Sequence, residues 1–175
     1  MMISLEFVLT SLVVVLVPGT GVIYTVSTAL LRGRRAGIFA SLGCTLGILP
    51  HLAATILGLA AVLHTSALAF QVMKFAGAFY LLYMAVVTWR DRTAFAVDAD
   101  RAGAATSGGT QVLNAFVLNI LNPKLTIFFL AYLPQFVDAG AGQPLAQLLT
   151  LSALFMAMTF AVFVVYVLVA HGLHR

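Results

Sequence analysis

Hydrophobic residues in this chain gather into five long runs, at residues 5–31, 36–63, 66–89, 112–133 and 145–170, separated by polar connections. A helix of about 20 apolar residues crosses one hydrocarbon core, so each run is long enough for one passage. Barrel strands would show alternating segments of about ten residues, and the chain has none. The pattern predicts an all-α membrane protein with about five transmembrane helices. No Lys or Arg precedes Arg32. The first run also exceeds the apolar core of about 7 to 15 residues in a secretory signal, so it is expected to stay in the mature protein.

Two runs carry a proline motif near the middle: Pro18-Gly19-Thr20-Gly21 in the first and Asn122-Pro123-Lys124 in the fourth. Pro18 lies 13 residues into its run and Pro123 lies 11 into its own. At about 1.5 Å per residue the two depths agree to about 3 Å. Broken helices at matching depths in two halves are the signature of an inverted-repeat transporter, because they expose backbone polar groups at the midplane. The long polar stretch, rich in Ala, Gly, Ser and Thr, suits a cytoplasmic linker. The division is a first repeat at 1–89, a linker at 90–111 and a second repeat at 112–175. The second repeat is expected to be incomplete, with no mate for the third helix.

Composition agrees with the membrane reading: 62% of residues are hydrophobic and 8% charged, against roughly a quarter charged in soluble domains. The net charge of +4 does not indicate nucleic acid here; what matters is which connections hold the cations. Arg32, Arg34 and Arg35 follow the first run, and Arg90, Arg92 and Arg101 follow the third. The other two connections contain no Lys or Arg. The positive-inside rule then puts the arginine loops and the C-terminus in the cytoplasm and the N-terminus outside. Cys44 is the only cysteine, so neither an intramolecular disulfide nor a thiolate cluster is expected.

The order Asn122-Pro123 is that of an N-cap followed by proline at the first helical position, so a half-helix is expected to restart there. Its free N–H groups and the Lys124 charge would favour an anion, and we assign this turn to a substrate carboxylate. The alternative is a simple kink with Lys124 snorkelling outward. A side chain of about 6 Å does not readily reach the interface from mid-membrane, and burying it costs at least ~2.5 to 3.5 kcal/mol. Asn119, Asn122 and Thr126 share one helix face, where they line a pathway or tie helices together. In the first run Pro18 frees a carbonyl, Gly19 and Gly21 permit an unwound turn, and Thr20 and Tyr24 offer polar contacts.

In the second run Gly43, Gly47, His51, Ala54 and Gly58 fall within an arc of about 80° on an ideal helix. Close helix packing is the default account of the glycines. His51 is either a proton-coupling group, since imidazole exchanges protons near neutral pH, or a neutral histidine bonded between helices. Gln71 and Lys74 in the third run would belong to an outer vestibule, or Lys74 snorkels. Met156 and Met158 read as packing residues, and His171 and His174 as terminal solvated histidines. No Asp or Glu lies deep in any run, which argues against a carboxylate relay or a hard-cation site. No protease, hydrolase or phosphate-loop motif is present, so neither an enzyme nor an ATP-driven pump is indicated, and no cofactor or metal is expected.

Taken together, several of these segments resemble the bacterial LysE/RhtB family of amino-acid exporters. The resemblance rests on Pro18-Gly19, Gly33-Arg34-Arg35-Ala36-Gly37 followed by Gly43 and Gly47, the stretch GAFYLLY at 77–83, and Asn122-Pro123-Lys124 running on to Pro134-Gln135-Phe136. It implies export of amino acids or similar metabolites across the inner membrane by proton antiport, with a homodimer as the assembly. The chain departs from the family in having Thr20 where Pro-Gly-Pro is usual, and in lacking about one helix at the end. Two other readings stay open. One is a truncated, non-transporting membrane protein or assembly partner, favoured by the absent helix. The other is an exporter of metal cations, against which the lack of acid, Cys and His clusters argues.

Overall fold

The computed structural model describes residues 3–63, 67–90, 107–138 and 142–173. Its helices are α1 (Leu5–Leu16), α2 (Thr20–Arg32), α3 (Arg34–Leu46), α4 (Leu49–Leu63), α5 (Ala67–Arg90), α6 (Gly108–Ile120), α7 (Pro123–Ile127) and α8 (Pro144–Leu173). A π-helical turn at Phe128–Tyr132 and a 3-10 turn at Leu133–Phe136 continue α7. Helices satisfy their backbone groups internally, as lipid requires. Ser4 caps α1 by accepting from the Phe7 N–H, and Ser107 caps α6 by accepting from Thr110.

Two helical stretches, Arg34–Gly58 and Pro144–Gly172, are long and apolar enough to cross a membrane. Two bent pairs meet the same test, α1 with α2 at 52° and α6 with Pro123–Phe136 at 56°. The third apolar run is the single 24-residue helix α5.

Several boundaries differ from the expected ones. The arginine loop after the first run is one residue, Gly33 at φ 84°, a left-handed conformation that favours glycine. Arg32 and Arg34 are therefore helix-end residues. The second run is divided by a turn at Gly47-Ile48, so the ideal-helix arc does not extend through it: Gly43, Gly47 and His51 are buried, whereas Ala54 is exposed. The fourth run continues to Phe136, taking in part of the expected outer connection. Residues 108–111 are helical, and 91–106 of the expected linker, with Arg92 and Arg101, lie outside the described residues, as does His174.

Small residues set the helix spacing. A Cβ built on Gly37 would stand 2.8 Å from Ala29 Cβ, which seats α3 against α2. One on Gly43 would run into the Val112 carbonyl and Ala115 of α6, and one on Gly47 would stand 2.8 Å from Asn119 Cβ. The Gly43/Gly47 pair thus brings α3 and α6 into close contact, as its spacing predicts. In the core, Phe128 stacks on Phe155 with centroids 4.4 Å apart, and Phe129 meets Phe155 edge-on at 5.5 Å.

Candidate functional site

The two breaks face each other. In the first, α1 ends at Leu16, with Val17 as its C-cap, and α2 begins after Gly19, whose backbone is extended (φ −131°). A proline has no N–H, so Pro18 leaves the Val14 carbonyl without its i+4 partner. The Lys124 ammonium takes that place, donating to Val14 O at 2.9 Å and to Val17 O at 2.8 Å. The Tyr166 hydroxyl, from α8, donates to Leu16 O at 2.9 Å. Three carbonyls at the end of α1 are thus satisfied by side chains from two other helices.

In the second break Asn122 caps α7, its side-chain oxygen accepting from the Lys124 N–H at 3.1 Å, and Pro123 is the first helical residue. Asn122 also donates to Asn119 Oδ1 at 3.1 Å. Asn119, 2% exposed, donates in turn to the Cys44 carbonyl, and its own carbonyl accepts from His51 Nε2 at 3.1 Å. A carbonyl only accepts, so Nε2 carries a proton. The other ring nitrogen, Nδ1, lies 3.3 Å from the Thr126 hydroxyl, which is also 3.4 Å from the Asn122 carbonyl. A continuous bonded path therefore joins His51, Thr126, Asn122 and Asn119 at the second break.

A cavity of about 330 Å3 opens between the breaks. Pro18, Gly19, Thr20, Asn122, Pro123 and Lys124 line one end, and Val13, Val17, Leu81 and Leu82 supply aliphatic walls. A second space of about 20 Å3 reaches behind it toward Gly21, Asn119 and Phe163. Gly19 has a spatial role, since a Cβ there would lie 3.2 Å from Lys124 Nζ. Gly21 is helical rather than unwound, and a Cβ on it would meet Asn119 Oδ1 at 3.1 Å.

Of the residues singled out from sequence, Pro18, Gly19, Thr20, Gly21, Asn119, Asn122, Pro123 and Lys124 line one or both spaces. Tyr24 does not; it packs, half-buried, against the core one turn further on. His51 is buried behind Asn119 instead of facing the cavity. Gln71 is exposed, and Lys74 lies over the ring of its neighbour Phe75 at 5.2 Å, away from the site. Tyr166 and Tyr132 were not foreseen, because a tyrosine in an apolar helix gives no sign of which neighbour it meets. Among the described residues no group of His, Cys, Asp and Glu is arranged to hold a metal.

The sequence profile of the LysE type translocators matches residues 12–175. A homoserine/homoserine lactone efflux protein of Salmonella typhimurium is 32% identical over 164 residues, covering 94% of this chain and 78% of the relative. A leucine efflux protein of an Enterobacter species is 27% identical over 163 residues, covering 90% and 76%. An uncharacterized membrane protein of Vibrio cholerae is 34% identical over 134 residues, and there the chain spans 64% of the relative's length. No solved structure matches the chain. With nearly its whole length inside the profile, the chain belongs to the LysE type translocator family, a family of transport proteins rather than enzymes.

Proposed function

We propose that this chain is a secondary exporter of amino acids across the bacterial inner membrane. Lys124 and the Asn122-Pro123 turn receive the substrate carboxylate, and the Pro18-Gly19-Thr20-Gly21 segment forms the facing wall. The observation that carries this reading is the meeting of the breaks, where an ammonium of one bent span lies 2.8 Å from a carbonyl oxygen of the other, beside a cavity. Broken spans that pair in this way are where transporters place their substrates. The names of the relatives, homoserine/homoserine lactone efflux and leucine efflux, support both the solute and the direction.

The similar bends, 52° and 56°, support two inverted halves of a five-helix arrangement. In this reading the arginine-bearing helix ends and the C-terminus face the cytoplasm and the N-terminus faces outward. The exposed aliphatic surfaces contact lipid, and the assembly is a homodimer. His51 exchanges the coupling proton through Thr126, whose hydroxyl lies 3.3 Å from the ring.

The test is efflux of preloaded radiolabelled leucine and homoserine from cells expressing the chain. Lys124→Ala is expected to insert normally yet slow efflux at least about tenfold, equivalent to ~1.4 kcal/mol of transition-state stabilisation. Efflux unchanged by that substitution would remove Lys124, and the carboxylate site with it.

A further inference from the structure

We propose that the Val14 and Val17 carbonyl oxygens are the subsite for the substrate's α-ammonium, and that Lys124 occupies this subsite with its own ammonium until an amino acid displaces it. This inference rests on the carboxylate reading of Lys124 given above. The end of α1, a helix of 12 residues, carries the negative pole of the helix dipole. Pro18 withholds the N–H that would satisfy Val14 O, and Val17 is the C-cap, past the last helical residue. Both oxygens accept from one ammonium, at 2.9 and 2.8 Å, so their spacing suits a primary ammonium.

An α-amino acid brings the same chemical group, with three donors, together with a carboxylate that Lys124 lacks as a partner. Substitution leaves the charges balanced: the carbonyl pair keeps an ammonium, and Lys124 exchanges two neutral acceptors for an anionic one. No Asp or Glu is among the described residues lining the cavity, so a substrate cation there is held by neutral acceptors, of which the carbonyl pair already holds an ammonium. Val13, Val17, Leu81 and Leu82 receive the side chain. The ligand class is therefore the aliphatic α-amino acid as a zwitterion, in preference to a carboxylic acid or an amine carrying the same side chain.

The test compares L-leucine, leucinamide and isocaproate, three ligands with one side chain, by calorimetric titration of the purified chain in lipid nanodiscs while leucinamide is cationic. With the native sequence, each analogue is expected to bind about tenfold or more weakly than leucine, the effect of losing one charge-assisted group. In Lys124→Ala, leucine and isocaproate are expected to weaken at least about tenfold, while leucinamide tightens about threefold or more because the competing ammonium is gone. Lys124→Met, which keeps the side-chain volume, is expected to behave alike and serves if the alanine variant is unstable. Leucinamide affinity that falls or stays level in these variants, while leucine weakens, would overturn the ammonium subsite and leave the carboxylate reading standing. Leucine affinity that does not change would overturn both.

Discussion

Lys124 and Val17 are 107 positions apart in the sequence, and the ammonium of the first donates to the carbonyl of the second at 2.8 Å. This bond fastens the restart of one bent span to the end of the other. The cavity opens beside it, which makes the residues around it the natural places to disturb.

Gly19 is the mildest of these places. Its backbone is extended, so any residue can adopt it, and the cost of a side chain is spatial. A methyl group would lie 3.2 Å from Lys124 Nζ and 3.4 Å from Cε, the mobile end of a long side chain. Gly19→Ala is expected to keep its thermal stability within about 0.5 kcal/mol, as for a substitution that disturbs no core packing. Efflux is expected to fall several-fold, because the ammonium is pushed from Val17. A drop in melting temperature with normal efflux would contradict this.

Gly43 and Gly58 provide a contrast within one span. Gly43 faces the Val112 backbone and Ala115, which cannot move aside cheaply, whereas the nearest atom to a Cβ on Gly58 is Leu130 Cδ2 at 3.9 Å. Gly43→Ala is expected to cost ~1 to 3 kcal/mol through overpacking of α3 on α6. Gly58→Ala is expected to be neutral or slightly stabilising. Thermal unfolding in detergent of the two variants, side by side, checks the difference.

These cases show which features are legible in the sequence. The breaks at Pro18 and Pro123 follow from proline chemistry, and the Asn122 cap follows from residue order, so both were readable along the chain. The close approach at Gly43 and Gly47 was readable from spacing. What Lys124 binds was not, because its partners are backbone carbonyls, which every residue carries. The same holds for Tyr166 on Leu16 O. The helix of the second run is interrupted by a turn at Gly47-Ile48, and beyond it Ala54 is exposed rather than on the expected face; ideal periodicity cannot anticipate such a turn.

Asn119 joins three elements: it donates to Cys44 O, accepts from Asn122 and carries the carbonyl that holds His51. Asn119→Ala removes the first two bonds and leaves the third, which is made by the backbone. Hydrogen bonds between membrane helices average ~0.6 kcal/mol and reach ~1.7, so a loss of about 1 to 3 kcal/mol is expected from the pair. Unfolding of the variant measures it. A loss near zero would mean that Asn119 serves the substrate path rather than the fold.

The sharpest prediction concerns Thr126. Its hydroxyl has one proton and two neighbours, His51 Nδ1 at 3.3 Å and the Asn122 carbonyl at 3.4 Å. When His51 is neutral with its proton on Nε2, Nδ1 accepts and the hydroxyl donates to it. When Nδ1 gains a proton, the hydroxyl must accept from the ring, and its own proton turns to Asn122 O. A hydroxyl serves both states by rotation, whereas a methyl serves neither. Thr126→Val keeps the shape, so leucine binding is expected to change less than about threefold, while efflux driven by an imposed pH gradient falls at least about tenfold. Thr126→Ser, which restores the hydroxyl, is expected to recover most of the gradient-driven rate. Measuring both variants in vesicles, with and without the gradient, separates coupling from binding. If Thr126→Val responds to the gradient like the native sequence, the proton takes another route, and His51 is a structural tie between α4 and α6.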